Sequence, residues 1–320
     1  MAVLSVSRRT DIPTYFSEWF LNRLEAGEVY TRNNLYNPNA VSHITFRKED
    51  IDCIVFWTKN PIPMLNKLDR LRGYRYYFQF TLTGYGEDME AGLPDKERLI
   101  EAFRTLALAQ GSNRKVIWRY DPIVFTSTYT MEWHIKTFEL IARMLAGFTD
   151  RCVISFLNTY DFVRDNMSKG HIFAQNKSKE QLLEFCKQLS EIANRHGMKI
   201  YSCAEEISLE EAGIEHGACI DQKYIEERIT GYPLKGGKDK GQRTACRCMS
   251  SVDFGRYNTC KNGCRYCYAC KNTSQIDSLF AQYDEHSPIL CDTLKPTDVI
   301  TERPLKSLRK AEELNQLSFL

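Results

Sequence analysis

The chain has no run of ~18 apolar residues, the length at which a helix becomes a candidate to cross a bilayer, so no membrane span is expected. Its first residues, Met1-Ala-Val-Leu-Ser-Val-Ser7, lack the basic, apolar and small-residue order of a secretory leader, and a reducing cytoplasm is the expected compartment. A dominant charge is missing too: 43 Lys and Arg against 41 Asp and Glu leave a formal +2, which neither favours nor excludes nucleic acid or membrane partners. Histidine is scarce, with six residues and no pair at the i, i+4 spacing of a helical metal site; His43, inside a strand pattern, reads as a core histidine. The first strand–helix unit has no Gly-x-Gly-x-x-Gly loop, which removes the main signature of a dinucleotide site.

What the chain does have is 43% apolar residues, enough for a sizeable core, and twelve cysteines. Through its first two-thirds, β-rich runs alternate with amphipathic helices. Strands are predicted at Ala2–Ser7, Val41–Phe46, Cys53–Thr58, Tyr76–Thr83, Val116–Arg119, Cys152–Leu157 and Lys199–Cys203, several of them continuously apolar, as in parallel strands buried on both faces. Helices are predicted after Asp11 (ending at Gly27), after Asp95, around Ile135–Leu145, and after the capping box Ser178-x-x-Gln181; Ser208-x-x-Glu211 caps a further short one. Repeated strand–helix alternation predicts an α/β fold with a parallel sheet, and a complete or partial (β/α) barrel of the TIM type is preferred over a doubly wound sheet. Residues 1–215 are assigned to the barrel and 216–320 to a Cys-rich segment packed on its mouth. Lys235–Arg243 reads as a mobile basic loop.

Cytoplasmic cysteines in clusters read first as metal ligands. Cys260, Cys264 and Cys267 stand at C-x3-C-x2-C, a spacing that chance would produce in about 2% of shuffled chains. Thiolates are the ligands of iron–sulfur clusters, and three of them on four irons leave one iron open, whereas structural zinc takes four ligands in a closed site. Cys203, Cys219, Cys246 and Cys248 form a second candidate set, for an auxiliary four-iron cluster or a structural zinc, with buried thiols as the plain alternative. Cys53, Cys152 and Cys186 read as core. Cys270 reads as a loop thiol before it reads as a ligand or hydrogen-atom donor, and Cys291 carries no signal.

The triad, with Tyr266 at the aromatic position of C-x3-C-x-aromatic-C, resembles the signature of radical S-adenosylmethionine enzymes. The whole chain resembles the bacterial domain-of-unknown-function 1848 family in Ser7-Arg-Arg-Thr-Asp-Ile-Pro13, in Phe56-Trp-Thr-Lys-Asn-Pro61 and in the stretch from Tyr257-Asn-Thr-Cys260 to Cys267-Tyr-Ala269. Gly263–Ala269 and Arg119-Tyr-Asp-Pro122 are more distantly similar to the spore photoproduct lyase branch. The first resemblance implies a full or partial barrel, a [4Fe–4S] cluster, S-adenosylmethionine and a reductant such as flavodoxin or ferredoxin. It also implies reductive cleavage to a 5′-deoxyadenosyl radical that abstracts hydrogen from the substrate. One departure stands out: that superfamily usually carries the triad just after the first strand, where this chain has Ser7–Pro13.

Polar residues gather where the predicted strands end, the face that carries active sites in parallel barrels. Under the resemblance, Arg119 suits the methionine carboxylate, Asp121, Thr58 and Ser155 the rest of the cofactor, and Tyr266 its adenine. Arg8, Arg9 and Lys59 suit an anionic substrate. Asp11 is alternatively a helix cap, and Asp121 before Pro122 a turn former. Between Asp221 and Asn272, eleven basic residues face five acidic ones, with Phe254, Tyr257, Tyr266 and Tyr268 interleaved. That pattern keeps nucleic acid among the candidate substrates, although a solvated loop explains it as well. Two further readings stay open: a zinc-stabilised nucleic-acid-binding module without catalysis, and an iron–sulfur electron carrier.

Overall fold

Continuous apolar runs flanked by amphipathic helices need a sheet covered on both faces, and the chain builds one. The computed structural model describes residues 2–32, 37–158 and 160–310. In chain order the strands among them are β1 (Val3–Val6), β2 (Glu28–Arg32), β3 (Ala40–Thr45), β4 (Cys53–Thr58), β5 (Tyr76–Thr81), β6 (Val116–Ile123), β7 (Arg151–Phe156), β8 (Lys199–Cys203), β9 (Glu215–Gly217), β10 (Val252–Asp253) and β11 (Val299–Glu302). Eight form one sheet in the order β10-β1-β4-β5-β6-β7-β8-β9, every neighbouring pair parallel. From β1 to β9 the order follows the sequence without reversal. β9 and β10 are the two edges, and among the described residues no pairing joins them. The fold is mixed α/β around a large parallel sheet.

The register divides the sheet by residue parity. Leu4, Ile54, Phe78, Trp118 and Ile154 share the face covered by helices; Val3, Val55, Tyr77, Ile117 and Val153 share the other. On the even face, helix Lys96–Ala109 stacks Phe103 on Phe80 with ring centroids 5.1 Å apart, and helix Met131–Leu145 stacks Phe138 on Trp118 at 4.7 Å. Helix Lys179–Arg195 opens with the predicted Ser178–Gln181 capping box. The odd face is covered by Ile220, Tyr224, Ile225, Leu234 and Met249, supplied by the late part of the chain.

Several expectations change. Val41–Phe46 does form a strand, β3, but in a separate sheet of order β11-β3-β2. Only Val41 and Ile44 of its six residues are buried, which does not suit a strand covered on both faces. The helix after Asp11 breaks at Phe16 into Ile12–Tyr15 and Ser17–Ala26, while Asp11 still caps it by accepting from Thr14 N. Gly27 ends it at φ +70°, where a Cβ would stand 2.9 Å from the Phe46 carbonyl oxygen. Asp95 precedes its helix without a side-chain cap. The loop expected to be mobile is tied along residues 248–250, with Asp239 N on Cys248 O at 2.9 Å and Ser250 N on Gly237 O at 2.9 Å. Among the described residues no helix is long and apolar enough to cross a membrane.

Candidate functional site

Parity also sorts the polar residues. Toward the C-terminal ends of β1 and β4–β8, the odd positions change from apolar to Ser5 and Ser7; Lys59, past Trp57; Gln79, Thr81 and Thr83; Arg119 and Asp121; Ser155; and Cys203 with Glu205. They make one polar row at the end of a parallel sheet where ligands usually bind. Thr58 is even. It falls on the helix-covered face, and its hydroxyl accepts from Asn60 N at 3.0 Å.

The Cys260–Cys267 loop docks on this end of the sheet. Arg265 N donates to Met89 O at 2.9 Å and Gly92 N to Asn262 O at 3.0 Å. The approach is so close that a Cβ on Gly92 would lie 2.3 Å from Lys261 O. Asn262 donates to Asp11 Oδ2 at 3.0 Å and accepts from Tyr15 OH at 2.9 Å, while Lys59 N also donates to Asp11 Oδ2, at 2.8 Å. Asp11 is therefore both a cap and an anchor. Lys59 Nζ donates to Glu90 and to Tyr266 OH, each at 2.8 Å, and Tyr266 OH donates to Glu90, which also accepts from Thr83 and Lys96. Burial pushes the Glu90 carboxyl up, but the Lys59 and Lys96 ammoniums hold it at about 2. Burial alone would lower Lys59; Glu90 and the nearby Cys264 raise it instead.

Cys270, expected as a loop thiol, belongs to the same group. Its sulfur lies near enough to Cys267 to shift that thiol, and 3.6 Å from Cys260 O. The Cys270 contact lowers the Cys267 thiol to about 7 against burial, aided by Ala269 N on the sulfur at 3.4 Å.

The second set also assembles. Cys203 at the end of β8, Cys219 just past β9, and Cys246 and Cys248 on the covering segment lie close enough to shift one another's ionisation, 203 with 219, 219 with 248 and 248 with 246. Arg119 Nη1 donates to Cys219 Sγ at 2.9 Å and Nη2 to Asp121 at 2.5 Å; Ser155 also donates to Asp121. Burial lowers the Arg119 pKa, but Cys219 and Asp121 outweigh it, and the guanidinium stays charged. Asp121 is in turn near enough to Lys59 to be stabilised by it, so Lys59, Asp121 and Arg119 lead from one thiol group to the other. Burial raises the Glu205 carboxyl beside them to about 7. Arg8 is held by Asp253 and Asp239, and Arg9 lies over the Tyr257 ring at 5.3 Å. Among the described residues, no three His, Cys, Asp or Glu side chains surround a point as ligands of a single ion would.

Residues 3–269 match the family described as Domain of unknown function (DUF1848). The chain belongs to the DUF1848 family. No curated protein matches it. The part matched to DUF1848 includes Cys260, Cys264, Cys267 and all four cysteines of the second set. Within this DUF1848 chain, sequence reasoning missed Glu90, Asn262, Gln79 and Asp253. Asp253 accepts from Ser5 at 2.7 Å, Ser7 at 2.5 Å and Arg8 N at 2.9 Å. Its one signal was an acidic residue inside an otherwise basic stretch.

Proposed function

We propose that this DUF1848 protein is a radical S-adenosylmethionine enzyme built on an open (β/α) barrel, with Cys260, Cys264 and Cys267 holding a [4Fe–4S] cluster. The observation that carries the reading is the seat of the Cys260–Cys267 loop. Late in the sequence, it rests in space on Asp11 beyond β1 and Lys59 beyond β4. The seat puts the loop beside the end of the first strand, which supports the reading even though the triad comes late in the sequence. When bound, a four-iron cluster on three thiolates leaves one iron open to the amino and carboxylate groups of S-adenosylmethionine and supplies the electron that cleaves its sulfonium to a 5′-deoxyadenosyl radical.

The donor set fits such a group: thiols gathered in one half-buried loop, one of them already easy to ionise, and a lysine beside them to offset thiolate charge. Asp121 and Ser155 face the same row and suit ribose hydroxyls. Tyr266 holds the loop through its hydroxyl and keeps its ring against Tyr85, at the edge of the space assigned to adenine. The carboxylate that Arg119 holds is Asp121, so its part is to position that residue rather than to bind methionine. Lys59 is held by Glu90 and Arg8 by Asp253 and Asp239, so of the three cations proposed for an anionic substrate Arg9, over the Tyr257 ring, is the least tied; the electron comes from a flavodoxin- or ferredoxin-type donor in a reducing cytoplasm. Anaerobically reconstituted protein given dithionite and S-adenosylmethionine should release 5′-deoxyadenosine, and the Cys264→Ala variant should not. A loaded cluster that releases none would sink the proposal.

Cys270 favours a second reading. If it is a fourth ligand, the site is closed and the protein is an electron carrier. Cys270→Ala separates the two: the enzyme keeps its iron and its cleavage activity, whereas the carrier loses its cluster.

A further inference from the structure

Four thiols outside the triad have no role in the chemistry just described, yet the fold gathers them. Cys203 comes from the end of β8, Cys219 from the turn after β9, and Cys246 and Cys248 from the segment across the odd face. All four are free and only 2–9% exposed. Ordinary core thiols, such as Cys53 and Cys152, have apolar neighbours; these four are brought together, Cys203 pairing in register with Gly217 two residues before Cys219, and Cys248 accepting from Ile220 N just after it.

Their sulfurs also attract N–H donors. Arg119 Nη1 reaches Cys219 at 2.9 Å, Ile220 N reaches Cys248 at 3.4 Å, and Cys248 N reaches Cys246 at 3.5 Å. Donors aimed at sulfur suit thiolates, whose charge they stabilise, and hydrogen bonds of this kind tune iron–sulfur centres. A second cation, Arg8, is close enough to Cys248 to be stabilised by it. The loop 237–250 closes over the group through its bonds at Cys248 and Ser250.

We propose that Cys203, Cys219, Cys246 and Cys248 bind a second [4Fe–4S] cluster. Zinc is the competing occupant, and it needs four sulfurs around one point, ~3.8 Å apart at the Zn–S bond length. Among the described residues no group of three or more His, Cys, Asp or Glu side chains is placed to hold a single metal ion. A cluster takes each thiolate on a different iron, so its ligands need not converge on one atom. With four thiolates every iron is satisfied, which leaves no open position for substrate or S-adenosylmethionine. The centre is therefore for electron transfer or for tying the late segment to β8, and it does not depend on what the triad does.

The test is metal and sulfide content, with visible and electron paramagnetic resonance spectra, of the full chain purified anaerobically. Wild type is expected to hold about eight irons and the variant lacking Cys260, Cys264 and Cys267 about four, with a four-iron spectrum. The Cys246→Ser, Cys248→Ser variant should keep about four and still release 5′-deoxyadenosine. Should that variant fail to fold, the triad variant decides alone. A triad variant without iron, or one carrying stoichiometric zinc, overturns the proposal. Absence of 5′-deoxyadenosine with both clusters present would count against the triad chemistry and leave this centre standing.

Discussion

Lys59 shows how much one side chain carries. Its ammonium bonds to Glu90 and Tyr266 and neighbours Cys264, while its backbone N–H anchors Asp11. Glu90 is 3% exposed, so removing one of its two ammoniums leaves a buried carboxylate half compensated. Lys59→Met is expected to cost about 3 kcal/mol in urea unfolding, the low end for breaking a buried pair, because Lys96 remains. Adding Glu90→Gln should recover part of the loss; if the double variant is simply the sum of the two singles, the pair is not coupled. His134 gives a pH effect at the same scale. It is fully buried, accepts from Tyr120 OH at 2.8 Å, donates to Val124 O at 3.1 Å, and burial lowers its pKa to about 4. The unfolded imidazole takes a proton near 6.5 while the folded one stays neutral to about 4. Its stabilisation is therefore complete above about pH 6.5 and declines as pH falls toward 4, by about 3 kcal/mol in all. Urea midpoints of wild type and His134→Asn should converge over that interval, and parallel curves would exclude the assignment.

At the scale of elements, the decisive contact is between two backbones. The short helix Glu87–Glu90 and the turn at Gly92 form the seat on which residues 261–265 rest, and no side chain can give way there. Gly92→Ala would press a methyl against Lys261 O and the Asn262 backbone, so the cysteine loop must lift. Loss of the triad's iron with an unchanged far-ultraviolet circular dichroism spectrum is expected; full iron retention would show that the seat does not position the thiols. This seat was not legible in the sequence. Strands with continuous apolar runs and helices with caps were, because their signals are local. The polar ends of the strands were legible as a group, yet only the register separates Thr58 from Lys59. Asn262 and Asp253 escaped notice because their partners lie 251 and up to 248 residues away, and Glu90 because the two that tie it to the site, Lys59 and Tyr266, lie 31 and 176 away. The strands β9 and β10, of three and two residues, are too short for a period to show.

For the whole molecule, the way the late residues pack on the parallel sheet has an energetic consequence. Residues beyond 217 provide β10 as an edge strand and cover the odd face with Ile220, Tyr224, Ile225, Leu234 and Met249. Without them Val3, Val55, Tyr77, Ile117 and Val153, each at most 2% exposed, would face water. At about 1.5–3 kcal/mol per large apolar side chain, five such exposures forfeit roughly 10 kcal/mol. That equals the whole stability of an ordinary domain, about 5–15 kcal/mol. The early strands and helices therefore form a sheet that is half covered until the late segment arrives, and the same segment brings Cys219, Cys246 and Cys248. A chain ending at Gly217 is expected to show no cooperative urea transition and a flat near-ultraviolet circular dichroism spectrum. A sharp transition with native aromatic signals would mean that the first 217 residues make a self-sufficient core, and that the late segment is an addition to the fold rather than one face of it.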